Sequence, residues 1–433
     1  MTLQQQVKAA QAEMTQGMLY EVGDRVGLLR QVLAVLGHPE NDFKIIHIAG
    51  TNGKGSTTQM LRTILTTAGY RSGAFMSPYL RDPFEQMTTD GQAITAAEFL
   101  ATFTQVKQAL VQLNLTPAAL SEFEWYFILA MVHFQRQHVD WAVIETGLGG
   151  EFDATNALEQ LELVIFTKIA YDHMALLGAT LTAIATTKSK IMRPMVPVVS
   201  YPQQALEAEV VLKQAAQQNQ APFWQTQELT YQIEQFDLTG MTVSLSSELF
   251  TWSHLKLSLA GEFQVANLVT VLTAVRVLQA QLGLSTAVIR QALLQVHLPG
   301  RLQVIGHAPT VLLDGAHNPD GSQAVVTTLQ RLAPQRPVTL VLGMLRDKNY
   351  RKMLHILLPS ATRVVVTTPN NPQRQLPANE LATACRQIAP HLPLTVCAVP
   401  QQALQVARQQ ATADELIVVT GSFYLVKELL PDA

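Results

Sequence analysis

The stretch Lys44-Ile45-Ile46-His47-Ile48-Ala49-Gly50-Thr51-Asn52-Gly53-Lys54-Gly55-Ser56 passes from an apolar run into a glycine-rich turn, and then into the helical pattern of Thr57–Ala68. A strand feeding a Gly-rich loop that opens a helix points backbone N–H groups and the positive helix end at one place, which suits a phosphate. Lys54 adds a mobile positive charge and Ser56 a hydroxyl for Mg²⁺. The string departs from G-x-x-x-x-G-K-[ST], because Ile48 occupies the first glycine position and Gly55 separates Lys54 from Ser56. On the pattern alone, an ordinary Gly-rich strand–helix turn stays open as the alternative.

Further along, short Val- and Ile-rich runs alternate with longer helical patterns. The runs are Trp141–Glu145, Leu163–Thr167, Val196–Ser200, Val311–Asp314, Val338–Gly343, Arg363–Thr367 and Leu416–Thr420. They read as buried parallel strands. The segments Ala96–Leu113, Glu122–Gln137 and Ala266–Leu282 carry apolar residues at three- and four-residue spacing. This alternation predicts an α/β fold, with ligands beyond the carboxyl ends of the strands. Gln227–Leu259 differs, because apolar and polar residues interleave around a Leu-Thr-Gly turn, and it predicts an antiparallel hairpin or meander. The pattern halts at Leu298-Pro299-Gly300-Arg301 and resumes near Val311. The expected domains are therefore residues 1–297 and a smaller, doubly wound α/β domain over 298–433.

Composition narrows the class of function. With 30 basic and 33 acidic side chains the net charge is −3, and no Lys/Arg block is present, which argues against a nucleic-acid or anionic-membrane partner. Two cysteines, Cys385 and Cys397, make neither a disulfide framework nor a thiolate metal site. No apolar run approaches the ~18 residues that cross a bilayer. Met1–Met14 lacks the regions of a signal peptide, so a cytoplasmic location is expected.

Several residues outside the loop carry candidate chemistry. Glu145 closes an apolar strand at the edge where a metal–phosphate site would lie, so its carboxylate can complement Ser56 around Mg²⁺. A strand-end cap or surface charge is the plainer reading of such a glutamate. His173 follows another strand and has a ring nitrogen to offer a metal, although Mg²⁺ prefers oxygen and a lone His is more often structural. Lys188 lies on an expected helix, Ala183–Met192, and as a bare sequence position reads as a surface lysine. Asp314 and His317 follow a strand of the second domain; the alternative has Asp314 capping the next helix and His317 packing at its turn.

The string Gly50–Ser56 resembles the nucleotide loop of the Mur ligase superfamily, and specifically of folylpolyglutamate synthases and dihydrofolate synthases. Further strings match in order: Ser77-Pro78, Glu145-Thr-Gly-Leu-Gly-Gly-Glu-Phe-Asp-Ala-Thr-Asn156, Asp172-His173, Lys188, Gln264 with Asn267, Gly300-Arg301-Leu302, Asp314-Gly-Ala-His-Asn-Pro319, Asp347-Lys348 and Thr420-Gly-Ser-Phe-Tyr424. The resemblance implies an N-terminal ATPase-like domain with a parallel sheet and a Rossmann-like C-terminal ligase domain. It implies ATP held by Thr51, Asn52, Gly53, Lys54, Gly55, Ser56 and Thr57, with Asn267, Arg301, Asp314 and His317. Two Mg²⁺ ions would be held by Ser56, Glu145, His173 and Lys188. Lys188 would be carbamylated, which needs a neutral amine. Lys54, Glu145, His173 and Lys188 become the expected catalytic set.

The activity implied is ATP-dependent addition of L-glutamate to the γ-carboxyl of tetrahydrofolate through an acyl phosphate, in folate biosynthesis and one-carbon metabolism. Dihydropteroate is a second candidate acceptor, and a monomer is expected. Departures from the family pattern fall beside the nucleotide core: Tyr79 for His, Gln86-Met87 for Arg-Ile, Glu151 for Arg, Thr187 for Glu, Phe263 for His, Leu298 for Trp and Asn349 for Asp. They leave a second reading open, a catalytically weak paralogue that binds nucleotide or a pterin.

Overall fold

A computed structural model of the chain describes residues 1–15 and 24–431. Two compact units emerge, each assembled from separated segments: Met1–Ile169, Leu181–Leu229 and Asn267–Gln295 form the first, and Ala170–Thr180, Thr230–Ala266 and Val296–Ala433 the second.

The first unit is built on eight strands: β1 (Lys44–Ala49), β2 (Ser72–Phe75), β3 (Met87–Thr89), β4 (Gln92–Ala93), β5 (Trp141–Glu145), β6 (Leu163–Phe166), β7 (Val198–Ser200) and β8 (Phe223–Gln225). Their order is β4-β3-β2-β5-β1-β6-β7-β8. Strands β2, β5, β1, β6, β7 and β8 run parallel, and β3 and β4 close one edge antiparallel. Ile46, Ile48, Ala142–Ile144 and Leu163–Phe166 are fully buried, as helices on both faces of a parallel sheet require. One of those helices, Glu122–Arg136, begins in a capping box: the Glu124 backbone N–H donates to Ser121 Oγ, and the Ser121 N–H donates to Glu124 Oε2 at 2.7 Å. From Trp125 to Phe134 it is buried all round. Truncating Phe127 there would cost about 3–5 kcal/mol.

The second unit holds two sheets. Strands β9 (Thr230–Asp237), β10 (Gly240–Ser246) and β11 (Thr251–Leu257) form an antiparallel meander in the order β11-β10-β9, as the interleaved pattern predicts. Strands β12 (Gln303–His307), β13 (Thr310–Leu313), β14 (Val338–Leu342), β15 (Arg363–Val366), β16 (Leu394–Val396) and β17 (Leu416–Thr420) form the other, ordered β12-β13-β17-β14-β15-β16. All are parallel except β12, which turns back on β13. Cys385 and Cys397 are both free thiols. Among the described residues, no helix is long and apolar enough to cross a membrane.

Candidate active site

In the first unit the carboxyl ends of β5, β1 and β6 lie side by side, because Ile48 pairs with Glu145 and Ala49 with Phe166. The loop leaving β1 is pinned on its β6 side, where the Thr51 and Asn52 N–H groups both donate to the Lys168 carbonyl at 2.8 and 3.1 Å. Gly53 then turns with φ +93° to start the helix Lys54–Thr67. A side chain at Gly53 would be strained and would strike the buried amide of Asn267, its Cβ only 2.4 Å from Oδ1. The loop therefore keeps its backbone open at the helix N-terminus, as a phosphate cradle requires.

Two lysines aim at one oxygen. Lys188 Nζ donates to the Gly50 carbonyl at 2.9 Å and Lys54 Nζ donates to the same carbonyl at 3.2 Å. Lys54 Nζ also lies 3.6 Å from Glu145 Oε1. Glu145, Ser56 and Lys188 are each 4% exposed, so Lys188 is not the surface lysine of the plainer reading. A Cβ on Gly55 would stand 3.8 Å from Glu145 Oε2, which places that carboxylate against the first turn of the helix.

The string after Glu145 proves to be scaffolding for this corner. Thr155 Oγ1 donates to Asp153 Oδ1 at 2.5 Å, the Leu148 N–H donates to Asp153 Oδ2 at 2.7 Å, and His47 Nε2 lies 2.8 Å from Thr155 Oγ1. With its hydroxyl hydrogen spent on Asp153, Thr155 accepts from His47. Burial, then the nearby Arg193 charge, pushes the His47 imidazole down to about 3. Burial likewise raises the Asp153 carboxyl, against the hydrogen bond from Thr155. Gly150 lets this loop touch the lysine's helix, since a Cβ there would fall 2.6 Å from the Thr187 carbonyl oxygen and 2.8 Å from that of Lys188. The Glu151 N–H donates to the Thr187 carbonyl at 2.9 Å, so two departures from the family pattern meet at one hydrogen bond.

The second unit contains the other expected residues. Asp314 follows β13 and spends its carboxylate on backbone, accepting from Leu302 N–H at 3.1 Å and Ala316 N–H at 2.8 Å. Burial raises its pKa and the Arg301 charge opposes the rise. It does not cap the following helix. Asn318 does, accepting the Gly321 N–H at 2.8 Å. The Arg301 guanidinium lies over the Phe423 ring at 4.5 Å, and the same ring stands 5.5 Å from the His317 imidazole. Asn349, where the family has Asp, caps the helix Tyr350–Leu357, a role either side chain fills.

Asp172 is the hub of this unit. Its Oδ1 accepts from Lys348 Nζ at 2.6 Å and from the His173 N–H at 2.8 Å, and its Oδ2 faces Asn318 Nδ2 at 3.2 Å and His317 Nε2 at 3.3 Å. Burial opposes its ionisation, but the His317 contact and the Lys348 charge outweigh it and hold the carboxyl well below its usual range. Lys348 Nζ also lies 2.9 Å from His173 Nε2. An ammonium has only hydrogens to offer, so Nε2 presents its lone pair. Burial, then the Lys348 charge, pushes His173 down to about 4, in keeping with a neutral ring. Burial also lowers His317 and Lys348.

Thus Ser56, Lys54, Glu145, Lys188 and Asn267 belong to the first unit, and His173, Arg301, Asp314 and His317 to the second. In the sequence Lys348 and Phe423 stand only within the matching strings, and no local signal marks Lys348 as buried against Asp172 and His173. Among the described residues no group of three or more His, Cys, Asp and Glu side chains forms a metal site. Hydroxyl and carboxylate oxygens at Ser56 and Glu145 nevertheless suit a hard cation that also uses phosphate oxygens. The Asp172–His173 pair already holds a positive charge in the form of Lys348.

A Gly-rich loop at the carboxyl edge of a parallel sheet, with a second, largely parallel α/β unit, is the arrangement expected of a Mur ligase. The family model described as the Mur ligase middle domain matches residues 48–275, and that described as the Mur ligase, glutamate ligase domain matches residues 300–423. A dihydrofolate synthase/folylpolyglutamate synthase of Bacillus subtilis is 31% identical over 409 residues, covering 93% of this chain and 94% of the relative. The solved structure of Mycobacterium tuberculosis folylpolyglutamate synthase complexed with ADP matches with a TM-score of 0.88 at 28% identity, covering 98% of both chains. A bifunctional folylpolyglutamate synthase/dihydrofolate synthase of Yersinia pestis, complexed with AMPPNP and Mn ion, matches with a TM-score of 0.81 at 26% identity over 95% of this chain and 93% of that one. The chain belongs to the folylpolyglutamate synthase/dihydrofolate synthase family of the Mur ligases.

Proposed function

We propose that the chain is an ATP-dependent ligase that joins L-glutamate to the γ-carboxyl of tetrahydrofolate through an acyl phosphate. Dihydropteroate is the second acceptor to test. The observation that carries this reading is the convergence of Lys54 and Lys188 on the Gly50 carbonyl beside Glu145, at the mouth of the phosphate loop. ATP and a divalent cation are its cofactors. The reading includes a working monomer in the cytoplasm, with a functional division at 297/298 after the break at Leu298–Arg301.

A carboxylate is a poor electrophile, so amide formation needs its oxygen converted into a leaving group, and the γ-phosphate of ATP provides it. The loop from Thr51 to Thr57 binds the phosphates through its N–H groups at the helix N-terminus, with Thr51 and Asn52 holding it to the Lys168 carbonyl, and Lys54 balances the charge that accumulates on transfer. Asn267 beside Gly53, with Arg301, Asp314 and His317, completes the nucleotide set. Ser56 and Glu145 would hold one Mg²⁺, with His173 and a carbamylated Lys188 as ligands of a second. When bound, the metal neutralises phosphate charge. Carbamylation would add CO₂ to the Lys188 amine with release of a proton, and would place an anionic oxygen on a buried side chain beside Gly50. Excluding water protects the acyl phosphate until the glutamate amine displaces phosphate.

Retention of Lys54, Ser56, Glu145, His173, Lys188, Arg301, Asp314 and His317 together favours an active ligase over a nucleotide-binding paralogue. Glutamate- and Mg²⁺-dependent ADP release, measured with tetrahydrofolate, with dihydropteroate and without acceptor, tests the reading. Release with tetrahydrofolate supports it, and release with both acceptors makes the enzyme bifunctional. ATP binding without release in any arm overturns it.

A further inference from the structure

Lys348 has no role in the function proposed above, yet it is 8% exposed and its ammonium sits between two groups. Nζ lies 2.6 Å from Asp172 Oδ1 and 2.9 Å from the lone pair of His173 Nε2. The imidazole has one lone pair on that atom, so an ammonium hydrogen and a metal ion cannot use it together. We propose that the Lys348 ammonium is a built-in cation that occupies the metal-ligating nitrogen of His173 and must withdraw before a divalent ion binds there. This rests on the reading of His173 as a metal ligand.

The rest of the cluster is arranged to survive the exchange. Asp172 keeps the His173 N–H on Oδ1, and keeps Asn318 and His317 on Oδ2, when Lys348 leaves. His173 itself lies at φ +49° at the start of the short helix Met174–Leu177, and its N–H is tied to Asp172. Ring and carboxylate therefore stay in register while the positive charge between them changes identity. Lysine resembles a divalent ion in charge sign but carries half its charge, so it satisfies the pair without binding it as tightly.

The test is Mn²⁺ binding to the full chain without nucleotide, by titration calorimetry or by the electron paramagnetic resonance of free Mn²⁺. Competition is reciprocal, so removing the ammonium in K348M should tighten Mn²⁺ binding by about tenfold. K348R, which restores a cation, should return it toward the parent value. The gain should vanish in K348M/H173A. Unchanged affinity in K348M, with H173A still weakening binding, overturns the competition and leaves the ligand reading standing. No effect of H173A in either background removes His173 from the metal site altogether. A gain that persists without His173 is a general charge effect and also overturns the proposal. If K348M does not fold, amine acetylation of the unmutated chain, read at Lys348 by mass spectrometry, decides: Mn²⁺ should accelerate it several-fold, and no change or protection counts against the proposal.

Discussion

The corner around Gly50 and the cluster around Asp172 are prepared for charge in opposite ways. At Gly50, backbone does the holding: Lys168 fixes the loop, Gly53 turns it, and two lysines converge on a carbonyl that carries only a partial charge. At Asp172, a full negative charge is already met by an ammonium and three further polar contacts. Positive charge is thus in excess at the first place and balanced at the second. The first is ready for an anion, whereas the second must give up one partner to gain another.

The largest effect that would sharpen this contrast is at Glu145, the acidic group beside the excess positive charge. Glu145→Gln should lower Mg²⁺-dependent turnover by about 100-fold or more while leaving the fold intact. Near-normal turnover would remove Glu145 from the metal site. Next in size, Asp172→Asn leaves Lys348 buried without its counter-charge and should cost about 3–5 kcal/mol in urea unfolding. A loss below about 1 kcal/mol would show that the cluster is not balanced as described.

Acid should act on the first region through His47. Its imidazole is held near 3 when folded against an ordinary 6.5, so the unfolded chain binds the extra proton first. The stability is complete above pH 6.5 and is lost as pH falls toward 3, by about 2 kcal/mol between pH 6.5 and 5. Unfolding midpoints at the two pH values should show this slope, and His47→Gln should flatten it. The smallest effect concerns the paired departures. Glu151→Arg and Thr187→Glu, each and together, should give a coupling of about 0.5–1 kcal/mol in a double-mutant cycle on stability, because their backbones share a hydrogen bond. Strict additivity would mean that the two positions changed independently.

Most central strands were legible in the sequence because burial on both faces forces continuous Val and Ile runs, as in β5, β14 and β17, whereas the central strand β2 was missed because Ser72-Gly73-Ala74-Phe75 contains neither. Strands β3, β4 and β12 were not legible: β4 and β12 are edge strands, β3 lies next to an edge, and all three are short and mix polarity in Met87–Thr89, Gln92–Ala93 and Gln303–His307. The site divides in the same way. The phosphate loop is a local string whose geometry follows from consecutive residues. The partnership of Lys348 with His173 spans 175 positions, and no local pattern around Asp347-Lys348 announces it. The Asp153–Thr155–His47 relay shows the converse, a string recognised by resemblance whose hydrogen bonds make it a brace.

At Gly150 the hydrogen that replaces a side chain sets the distance between the loop after β5 and the helix that carries Lys188. Even a methyl group would act as a wedge against two carbonyl oxygens, pushing that helix outward and carrying the amine away from Gly50. Alanine at position 150 would thus be a lesion at Lys188, inflicted without touching its side chain. The smallest residue in the corner sets the tolerance to which it is built.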